Sequence, residues 1–561
     1  MKYLVLTFVF VGLSSIYNAQ DLSGVADEKP LKVGGGINAS TSFYDVSGIE
    51  NRRQPLFWQI NANVNFDVFG TSVPFSATFS NQQSDFSQPF NIVGASPSYK
   101  WVTAHLGYRS MNFSTYTLSG NRFFGVGVEA APPDLPIEVA VMYGRLNKGI
   151  DPADIPAGVT AVESTPNSGP AYDRWGQGAK VKYNKNFGSL EFVFFRASDR
   201  PGSIVVPDSI QELQPAENLI LGLNGDINID KKTRLHFELA RSYYTNNTNL
   251  PDEAIEAFTF ADNLGTLLTA NTSTQMNNAV VVGASRDFGK FELNAKYNRV
   301  DPGYQTMGSP FLNNDLENIT GGIGFALLKN KINFSGDFGV QSDNIDGLKD
   351  DRMQRLIING NANINVSKRL NFSVTGSNFT NNAYQKGIIT NDTLQFFQIT
   401  RNVSVSGFYT ISTDKVPQSL FLTVSRQETE DSEENNSEIS NVNLGYTITL
   451  NKIGVTGNLA VNYFKNDINP IITDGIGPTV TLSKQVFKDK GSLNMTYANA
   501  QTIVNSERSS SVQTLRAGFN VALFGNSTLG IDATVVDMNP VGSDAPAFTE
   551  YRGNITYGYS F

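Results

Sequence analysis

Two histidines are the side chains best suited to acid–base chemistry in this chain of 561 residues. His236 stands between Arg234 and Glu238, where it could serve a proton or ligand site. His105 lies in a run with aromatic and basic neighbours, which are Tyr99, Trp101, Tyr108 and Arg109. A hydrolase needs a nucleophile oriented by a base and a third group, and the spacing fixes no such partners for either histidine. The sequence therefore predicts no enzyme, and an outer-membrane hydrolase stays as a third alternative.

The absence of cysteine narrows the chemistry further. It excludes thiol catalysis, cysteine-ligated zinc, iron–sulfur clusters and disulfides. Two histidines leave little material for a metal site, so neither a metal nor another cofactor is expected. The 43 Lys and Arg residues face 52 Asp and Glu residues, which gives a formal net charge of −9. This acidic balance argues against a nucleic-acid partner, because phosphate binding needs clustered cations.

Residues 1–19 have the composition of a secretory signal peptide. Lys2 precedes an apolar run from Tyr3 to Leu13, and a polar stretch ends at Ala19. Residues 20–30 are then expected to be a short periplasmic segment, and residues 31–561 the main domain. No later segment approaches the roughly 18 apolar residues of a membrane helix. We therefore expect an exported protein that meets a membrane, if at all, through strands.

Alternation of apolar and polar residues with period two runs from residue 31 to the end of the chain. In Leu56–Phe69 the even positions carry apolar side chains, and the odd positions are mostly Asn, Gln or Asp. Side chains alternate across a strand, so one face is apolar and the other polar. These strands reach about ten residues or more, which matches the roughly 9–11 tilted residues of a bilayer crossing.

Two kinds of connection alternate between these strands. About eleven are tight turns, several with Phe-Gly as in Phe187-Gly188 and Phe524-Gly525, and the others are long and polar, as in 147–174 and 245–276. This asymmetry is typical of an outer-membrane barrel. The sequence predicts an all-β, transmembrane, antiparallel up-and-down β-barrel of about 24 strands (roughly 22–26), with short periplasmic turns and long extracellular loops.

Residues 83–121 break the up-and-down parity and are interpreted as a long connection folded inward, with 99–109 inside the barrel. The segment carries Tyr99, Trp101, Tyr108, Phe113 and Tyr116, which is more aromatic surface than a solvated loop leaves unburied. We therefore expect it to narrow the pore, with the residues around His105 named above as the constriction.

The alternation also assigns most charged side chains to the lumen, because a charge at the midplane of the lipid face costs about 2–4 kcal/mol. The predicted pore-lining residues are Lys180, Lys182, Arg234, His236, Glu238, Glu292, Lys296, Asp337, Arg516, Asp532, Glu550 and Arg552. Their signs nearly balance, so strong ion selectivity is not expected.

The stretch 428–438 holds six carboxylates and no cation. Hard divalent cations take oxygen ligands, so a Ca²⁺ or Mg²⁺ bridge to lipopolysaccharide phosphates is one interpretation. The spacing is not that of an EF-hand, and a solvated surface loop is the favoured interpretation.

The last strand points to the environment of the barrel. In 551–561 the residues Tyr551, Ile555, Tyr557, Tyr559 and Phe561 share one face, and the other face is polar. Such a strand with a terminal Phe resembles the assembly signal of bacterial outer-membrane proteins. The resemblance assigns that role to Tyr557, Tyr559 and Phe561 and implies contact with the barrel-assembly machinery.

The mature chain as a whole resembles the large outer-membrane β-barrels of Bacteroidota. Ala19-Gln20 resembles the cleavage point of their exported proteins, and 96–120 resembles a motif of uncharacterised members. The resemblance implies location in the bacterial outer membrane after export across the inner membrane, in contact with lipid and lipopolysaccharide. No folded plug of the TonB-dependent transporter kind and no OmpA-like tail are expected.

A barrel of this size predicts a porin-like function, since 16–18 strands already enclose an aqueous channel. The leading expectation is passive diffusion of polar solutes. The alternative is a non-conducting accessory barrel of a secretion or assembly complex, with a protein partner. The solute, the oligomeric state and the partner stay open at this point.

Overall fold

A computed structural model describes residues 31–68, 71–81, 92–154, 170–207, 213–251, 267–309, 311–386, 393–412, 415–433, 435–541 and 545–561. The predicted signal peptide and the segment 20–30 lie outside these residues. Within them, the helices are single 3-10 turns at Pro152–Asp154 and Pro201–Ser203. None of the described helices is long and apolar enough to cross a membrane.

The rest of the architecture is β-strand. The first strands are β1 Lys32–Ser47, β2 Leu56–Val68, β3 Thr71–Ser80, β4 Ile92–Ala95, β5 Ser98–Tyr99, β6 Val102–Ser110, β7 Arg122–Ala130, β8 Ile137–Asn147, β9 Arg174–Lys185, β10 Gly188–Asp199, β11 Glu217–Asn228, β12 Thr233–Thr245, β13 Thr274–Asp287 and β14 Phe291–Val300. The later strands are β15 Leu316–Leu327, β16 Ile332–Ser342, β17 Asp351–Asn365, β18 Leu370–Lys386, β19 Thr393–Ser412, β20 Gln418–Asp431, β21 Ser437–Leu450, β22 Val455–Ile468, β23 Ile471–Val486, β24 Gly491–Val504, β25 Glu507–Ala522, β26 Ser527–Pro540 and β27 Phe548–Ser560.

These strands form one closed antiparallel barrel. Neighbours in sequence are neighbours in the sheet, and β27 pairs with β1 from Gly36↔Ser560 to Ser47↔Thr549. The short segments β4 and β5 both lie between β3 and β6, so they form one interrupted barrel strand. The 27-stranded sheet therefore makes a barrel of 26 strands. The prediction of an all-β antiparallel barrel is confirmed, and the count exceeds the expected 24 by two.

The two extra strands come from 83–121, whose interpretation as one inward connection is wrong for residues 92–110. These residues form β4, β5 and β6 in the wall, where β6 pairs with β7 along its length. A tight turn at Lys100 and Trp101 joins β5 to β6, and Lys100 has a positive φ of 52°. The turn was not predicted because neither residue is a Gly or Asn, the types that usually signal this backbone conformation. Of the described residues in this segment, 111–121 leave the wall.

The two faces of the wall follow the alternation. Side chains such as Phe124, Phe338, Met495 and Tyr557 stand exposed on the outer face all around the barrel. Their sequence neighbours point to the lumen, because successive side chains of a strand lie on opposite faces. Paired residues share a face, and the inner face can be followed through the register from Ser42 around the barrel to Asn554, its partner on β27.

The tight turns that the sequence predicts lie at one end of the barrel, which we call the short-turn end. Gly188, Gly289 and Gly525 of the Phe-Gly turns have positive φ, which a glycine adopts without strain. Phe69-Gly70 lies outside the described residues. The opposite, long-loop end carries long connections from β6 to β15. Between β22 and β25 its connections shrink to two residues, at 469–470 and 505–506. The expected difference between the ends therefore holds mainly for the first half of the chain.

Candidate functional site: the lumen wall and its two inward loops

The register places the twelve predicted pore-lining residues on the inner face of the barrel. Several have partners there: His236 Nδ1 lies 2.8 Å from Asp226 Oδ1, and Arg516 pairs with Asp532 at 3.2 Å. Arg552 pairs with Glu550. Charges of both signs are thus paired on the inner face of the wall.

Two connections fold against the inner wall at the long-loop end. Loop A comprises residues 111–121, between β6 and β7. Loop B comprises residues 301–315, between β14 and β15, of which residue 310 lies outside the described residues. We call the two together the lumenal insert. Six of its apolar side chains are almost fully buried, and they are Met111, Phe113, Tyr116, Leu118, Tyr304 and Met307.

The insert packs on an apolar part of the inner face that runs from β7 to β14, which we call the sealed wall. Its buried members are Phe123, Ala140, Met142, Leu146, Val193, Phe195, Ala197, Ile220, Ala240, Ala279, Val281 and Val300. Burial of one large side chain contributes roughly 1.5–3 kcal/mol, so a cluster of this size fixes the insert firmly. Apolar residues at inner-face positions are explained by this cover, because they do not face water.

Hydrogen bonds join the two loops directly. The Tyr304 hydroxyl donates to the Tyr116 carbonyl at 2.7 Å, and the Thr306 hydroxyl donates to the Thr117 carbonyl at 2.6 Å. The Ser119 amide donates to the Gly308 carbonyl at 3.0 Å, and Leu118 and Gly308 form a parallel β-bridge. Loops separated by some 190 residues therefore form one unit, as the backbone groups of an interior segment need partners.

Further hydrogen bonds fix this unit to the wall. The Tyr116 hydroxyl donates to Asn298 Oδ1 at 2.8 Å, and its amide donates to Glu238 Oε1 at 3.3 Å. The Met307 amide donates to Asn218 Oδ1, and Lys180 Nζ donates to the Asn112 carbonyl. Two predicted lumen residues, Glu238 and Lys180, thus hold the insert rather than face an open pore.

Burial changes the acidity of both tyrosines in the insert. Burial, together with the charge of Glu238, raises the pKa of Tyr116 to about 12. Burial also raises the pKa of Tyr304 strongly, with further contributions from Glu238 and Tyr116. Both hydroxyls therefore stay protonated at any physiological pH, and both keep the proton that they donate.

Glycines make room for the insert at the places of closest approach. A Cβ on Gly178 of β9 would lie well under 3.0 Å from the Phe113 ring. A Cβ on Gly308 would lie equally close to the Thr117 carbonyl oxygen, which is backbone and cannot turn aside. Gly308 therefore allows the two loops to touch.

Loop B is also tied to the next long connection, residues 343–350. The buried Asp315 carboxylate accepts from Lys349 Nζ and from the Ile345 amide. Burial alone disfavours the charged carboxylate, but these donors outweigh it and lower the pKa of Asp315 below its usual value. The sequence did not single out loop B. Its Tyr304, Met307 and Leu312 carry the same apolar signal that singled out 83–121.

The inner face from β16 to β24 is different, and we call it the open wall. It carries mainly amide and hydroxyl side chains, as in the row Asn359, Asn361 and Asn363 on β17 and Thr479, Thr481 and Ser483 on β23. Cross-strand pairs such as Ser406 with Thr423 and Thr481 with Thr496 join neighbouring strands. No described loop packs on it in the way that the insert packs on the sealed wall.

The predicted constriction around His105 is wrong in its location. Tyr99 and Tyr108 lie on the outer-face side of the register, and Trp101 lies in the tight turn. His105 and Arg109 point inward but belong to the wall strand β6. Of the described aromatic residues in 92–121, Phe113 and Tyr116 of loop A are the ones that pack in the lumenal insert.

His105 forms a chain of contacts that has the composition of a hydrolase site. Its Nδ1 lies 3.0 Å from Ser96 Oγ, and its Nε2 lies 3.2 Å from Glu129 Oε2. A nucleophile must also face donors that stabilise an oxyanion. The Ser96 amide is already bonded to the Pro74 carbonyl. The chain of contacts is explained as a hydrogen-bonded part of the inner wall.

The acidic stretch 428–438 is not one solvated loop. Its first part ends β20 and its last part begins β21. Arg426 contacts Glu428 at 2.6 Å and Glu438 at 3.0 Å, and Arg401 contacts Glu430 at 3.0 Å. The cations come from neighbouring strand positions and neutralise much of the stretch. Among the described residues no cluster suited to a metal ion is present.

Tyr557, Tyr559 and Phe561 stand on the outer face of the last strand and its end, and all three are exposed. The Phe561 amide donates to the Gly35 carbonyl and its carbonyl accepts from the Gly35 amide, so the terminal residue takes part in barrel closure.

No protein-family model and no curated protein sequence matches the chain. Among solved structures, the P pilus usher (PapC) translocation pore is 9% identical, with 95% of this chain and 99% of that chain covered at a TM-score of 0.35. A BenF-like porin from Pseudomonas fluorescens is 11% identical, with 69% and 99% covered at 0.29. OprD of Pseudomonas aeruginosa is 9% identical, with 66% and 94% covered at 0.31. At these values the matches carry no argument about function, which rests on the wall and the insert.

Proposed function

We propose that the protein is an integral outer-membrane barrel that allows passive diffusion of polar solutes along its open wall. The observation that carries the proposal is the division of the lumen. One side is filled by a fixed insert, and the other side keeps a polar surface from β16 to β24 that none of the described loops covers. A fixed, partial filling is what a diffusion channel needs, because it sets the width of the pore without closing it.

The outer face supports the membrane location. Large apolar side chains such as Ile319, Phe338 and Met495 stand exposed around the barrel. A soluble monomer rarely exposes an apolar patch of more than a few hundred Å², and an apolar surface that surrounds a whole barrel is larger than that. The pairing of β1 with β27 closes the sheet, and closure is what a strand-built chain in lipid requires. Phe187, Phe288 and Phe524 are exposed at the short-turn end, where an aromatic girdle would lie. By the usual asymmetry, this end faces the periplasm.

The direct test is the current through the purified protein in planar lipid bilayers. The proposal predicts a steady, ohmic current at low voltage that persists after the protein is washed from the bath. Neutral polymers of increasing size should lower the current until they no longer enter, which measures the free width beside the insert. A folded barrel that inserts but carries no steady current would contradict the proposal.

One feature favours the second candidate, a non-conducting accessory barrel with a protein partner. Phe311 of loop B and Leu348 of the connection tied to it are 85% and 84% exposed, although both are large apolar residues at the long-loop end. Such side chains are typical of contact surfaces. A partner recovered in stoichiometric amount on gentle detergent extraction, and lost in a Phe311→Ser, Leu348→Ser variant, would support this candidate. No catalytic step and no cofactor are proposed.

A further inference from the structure

A trough of about 460 Å³ lies on the open wall between β16 and β21. This volume falls within the roughly 300–1,000 Å³ of small-molecule sites. The residues that define the trough are Asn359, Asn361, Thr375, Asn402, Gln427 and Asn441. Adjacent rows of amides and hydroxyls from several strands thus converge on one surface inside the barrel.

The trough is close to neutral. Among the described side chains that line it, Asp337 is the one charged group on the inner face, and Arg426 lies on the outer-face side of the register and pairs with Glu428 and Glu438. The charged residues near the short-turn end of the sealed wall, such as Lys182, Arg234 and Lys296, lie on other strands. A solute in the trough therefore meets dipoles rather than ions, which disfavours a charged solute.

The polar groups of the trough are available for a ligand. In the part of the chain that the structure describes, the side-chain amides of Asn359, Gln427 and Asn441 have no protein partner, nor does the Thr375 hydroxyl. An amide offers both donors and acceptors, as a hydroxyl group does. The matching solute is one that presents many hydroxyl groups and no charge.

An aromatic ring adjoins these amides. Phe464 of β22 is the cross-strand neighbour of Asn441 on the same face, and its own neighbour on β23 is Gly475. A Cβ on Gly475 would lie well under 3.0 Å from the Phe464 ring, so the glycine lets the ring lie against the wall. Farther toward the short-turn end Phe408 is 44% exposed and pairs with Phe421. Aromatic faces pack well against the C–H faces of sugar rings.

We propose that the trough is a binding subsite for neutral carbohydrate, of the size of a short oligosaccharide. The inference rests on the proposed channel function, since it names the class of solute that the open wall favours. The hydroxyl groups bind the amides of β17, β20 and β21, and a ring face packs on Phe464. The site is expected to be weak, because a channel must also release its solute.

The test is the block of single-channel current by maltohexaose, with a polyethylene glycol of equal hydrodynamic size as the inert control. We expect resolved, concentration-dependent blocks by the glucan and only size exclusion by the polymer. Gln427→Leu and Phe464→Ala should each weaken the block about threefold to tenfold, since each removes about one net contact. Asn520→Leu, on the inner face of β25 outside the trough, should leave the block unchanged.

Two outcomes would overturn the inference and leave the channel intact: equal block by glucan and polymer, or a stronger block by a sulfated glucan of the same length. If no steady current exists, the channel proposal fails by itself. Calorimetric titration of the detergent-solubilised protein with maltohexaose then decides on the site. Heat of binding that Gln427→Leu reduces would support it, and the absence of such heat would overturn it.

Discussion

The sealed wall from β7 to β14 and the open wall from β16 to β24 are built from the same strand geometry but differ in what covers them. Val281 and Ala279 on the sealed wall are buried under the insert, whereas Thr375 and Asn402 on the open wall face the lumen. The longest connections also belong to the sealed side, and two-residue connections join β22 to β23 and β24 to β25. The composition of the inner face therefore follows the length of the connections. Where long loops fold inward, the inner-face residues that they cover are apolar.

The cover on the sealed wall is also uneven along its height. On β12, Ala240 and Ser242 near the long-loop end are buried, and His236 near the short-turn end is largely exposed. Glu238 lies between them and accepts from the insert. The described part of the insert therefore covers the inner face of β12 near the long-loop end and leaves it uncovered toward the short-turn end.

Removal of loop A should have the largest effect on the difference between the sealed wall and the open wall. Excision of residues 112–120, bridged by a short Gly/Ser linker, uncovers the sealed wall and frees loop B from its partner. We expect the barrel to assemble and its single-channel conductance to rise severalfold, as measured in planar bilayers. An unchanged conductance in the folded variant would mean that the insert does not set the width of the pore.

Gly308→Ala should separate the two loops without shortening either of them. The added Cβ meets the Thr117 carbonyl oxygen, so loop B must withdraw from loop A. The expected result is faster hydrogen exchange in both loops and a noisier, larger current. Gly283→Ala is the matched control on the inner face, because its Cβ would lie 3.5 Å from the nearest atom, an ordinary contact. Equal behaviour of the two variants would refute a close contact at Gly308.

The tie between loop B and residues 343–350 should respond to acid. Because the folded pKa of Asp315 is lowered, its charge stabilises the tie fully above the unfolded value of about 3.9. Stability is lost as the pH falls through the lower folded value. We expect hydrogen exchange of loop B to accelerate only below about pH 4, and Asp315→Asn to reproduce the effect at pH 7.

The control for this effect is Asp346→Asn in the same connection, since Asp346 accepts from the Leu348 amide within its own turn. Lys349→Met should act like Asp315→Asn. If loop B exchanges at the same rate in Asp315→Asn and in the unaltered protein, the tie contributes nothing.

The barrel and the faces of its strands could be predicted from the sequence because alternation is a local signal. It placed Lys296, Asp337 and Arg516 on the inner face from their immediate neighbours alone. The turn at Lys100 could not be predicted in the same way, because a lysine with positive φ carries no turn signal. Because this one turn was missed, the predicted strand count was too low by two. For the same reason, the residues of β6 were predicted to lie in the lumen and not in the wall.

The insert was only half predictable, for a different reason. The aromatic content of loop A indicated burial, but its partner lies far away in sequence: Tyr304 and Tyr116 are 188 residues apart. The acidic stretch shows the same limit, since Arg401 neutralises Glu430 across a strand pair. Contacts of this kind depend on register and loop path, which no local pattern determines.

If solutes move along the open wall and not along the sealed wall, cysteines on the two walls should differ in their response, and the chain has no cysteine of its own to interfere. Single cysteines at Ser404 and Ser425 on the open wall are compared with cysteines at Ala240 and Ala279 on the sealed wall. A charged, water-soluble thiol reagent is added while the current through one channel is recorded. We expect a stepwise drop in current for Ser404→Cys and Ser425→Cys and no change for Ala240→Cys and Ala279→Cys. Equal modification on both walls, or a drop only on the sealed wall, would contradict it.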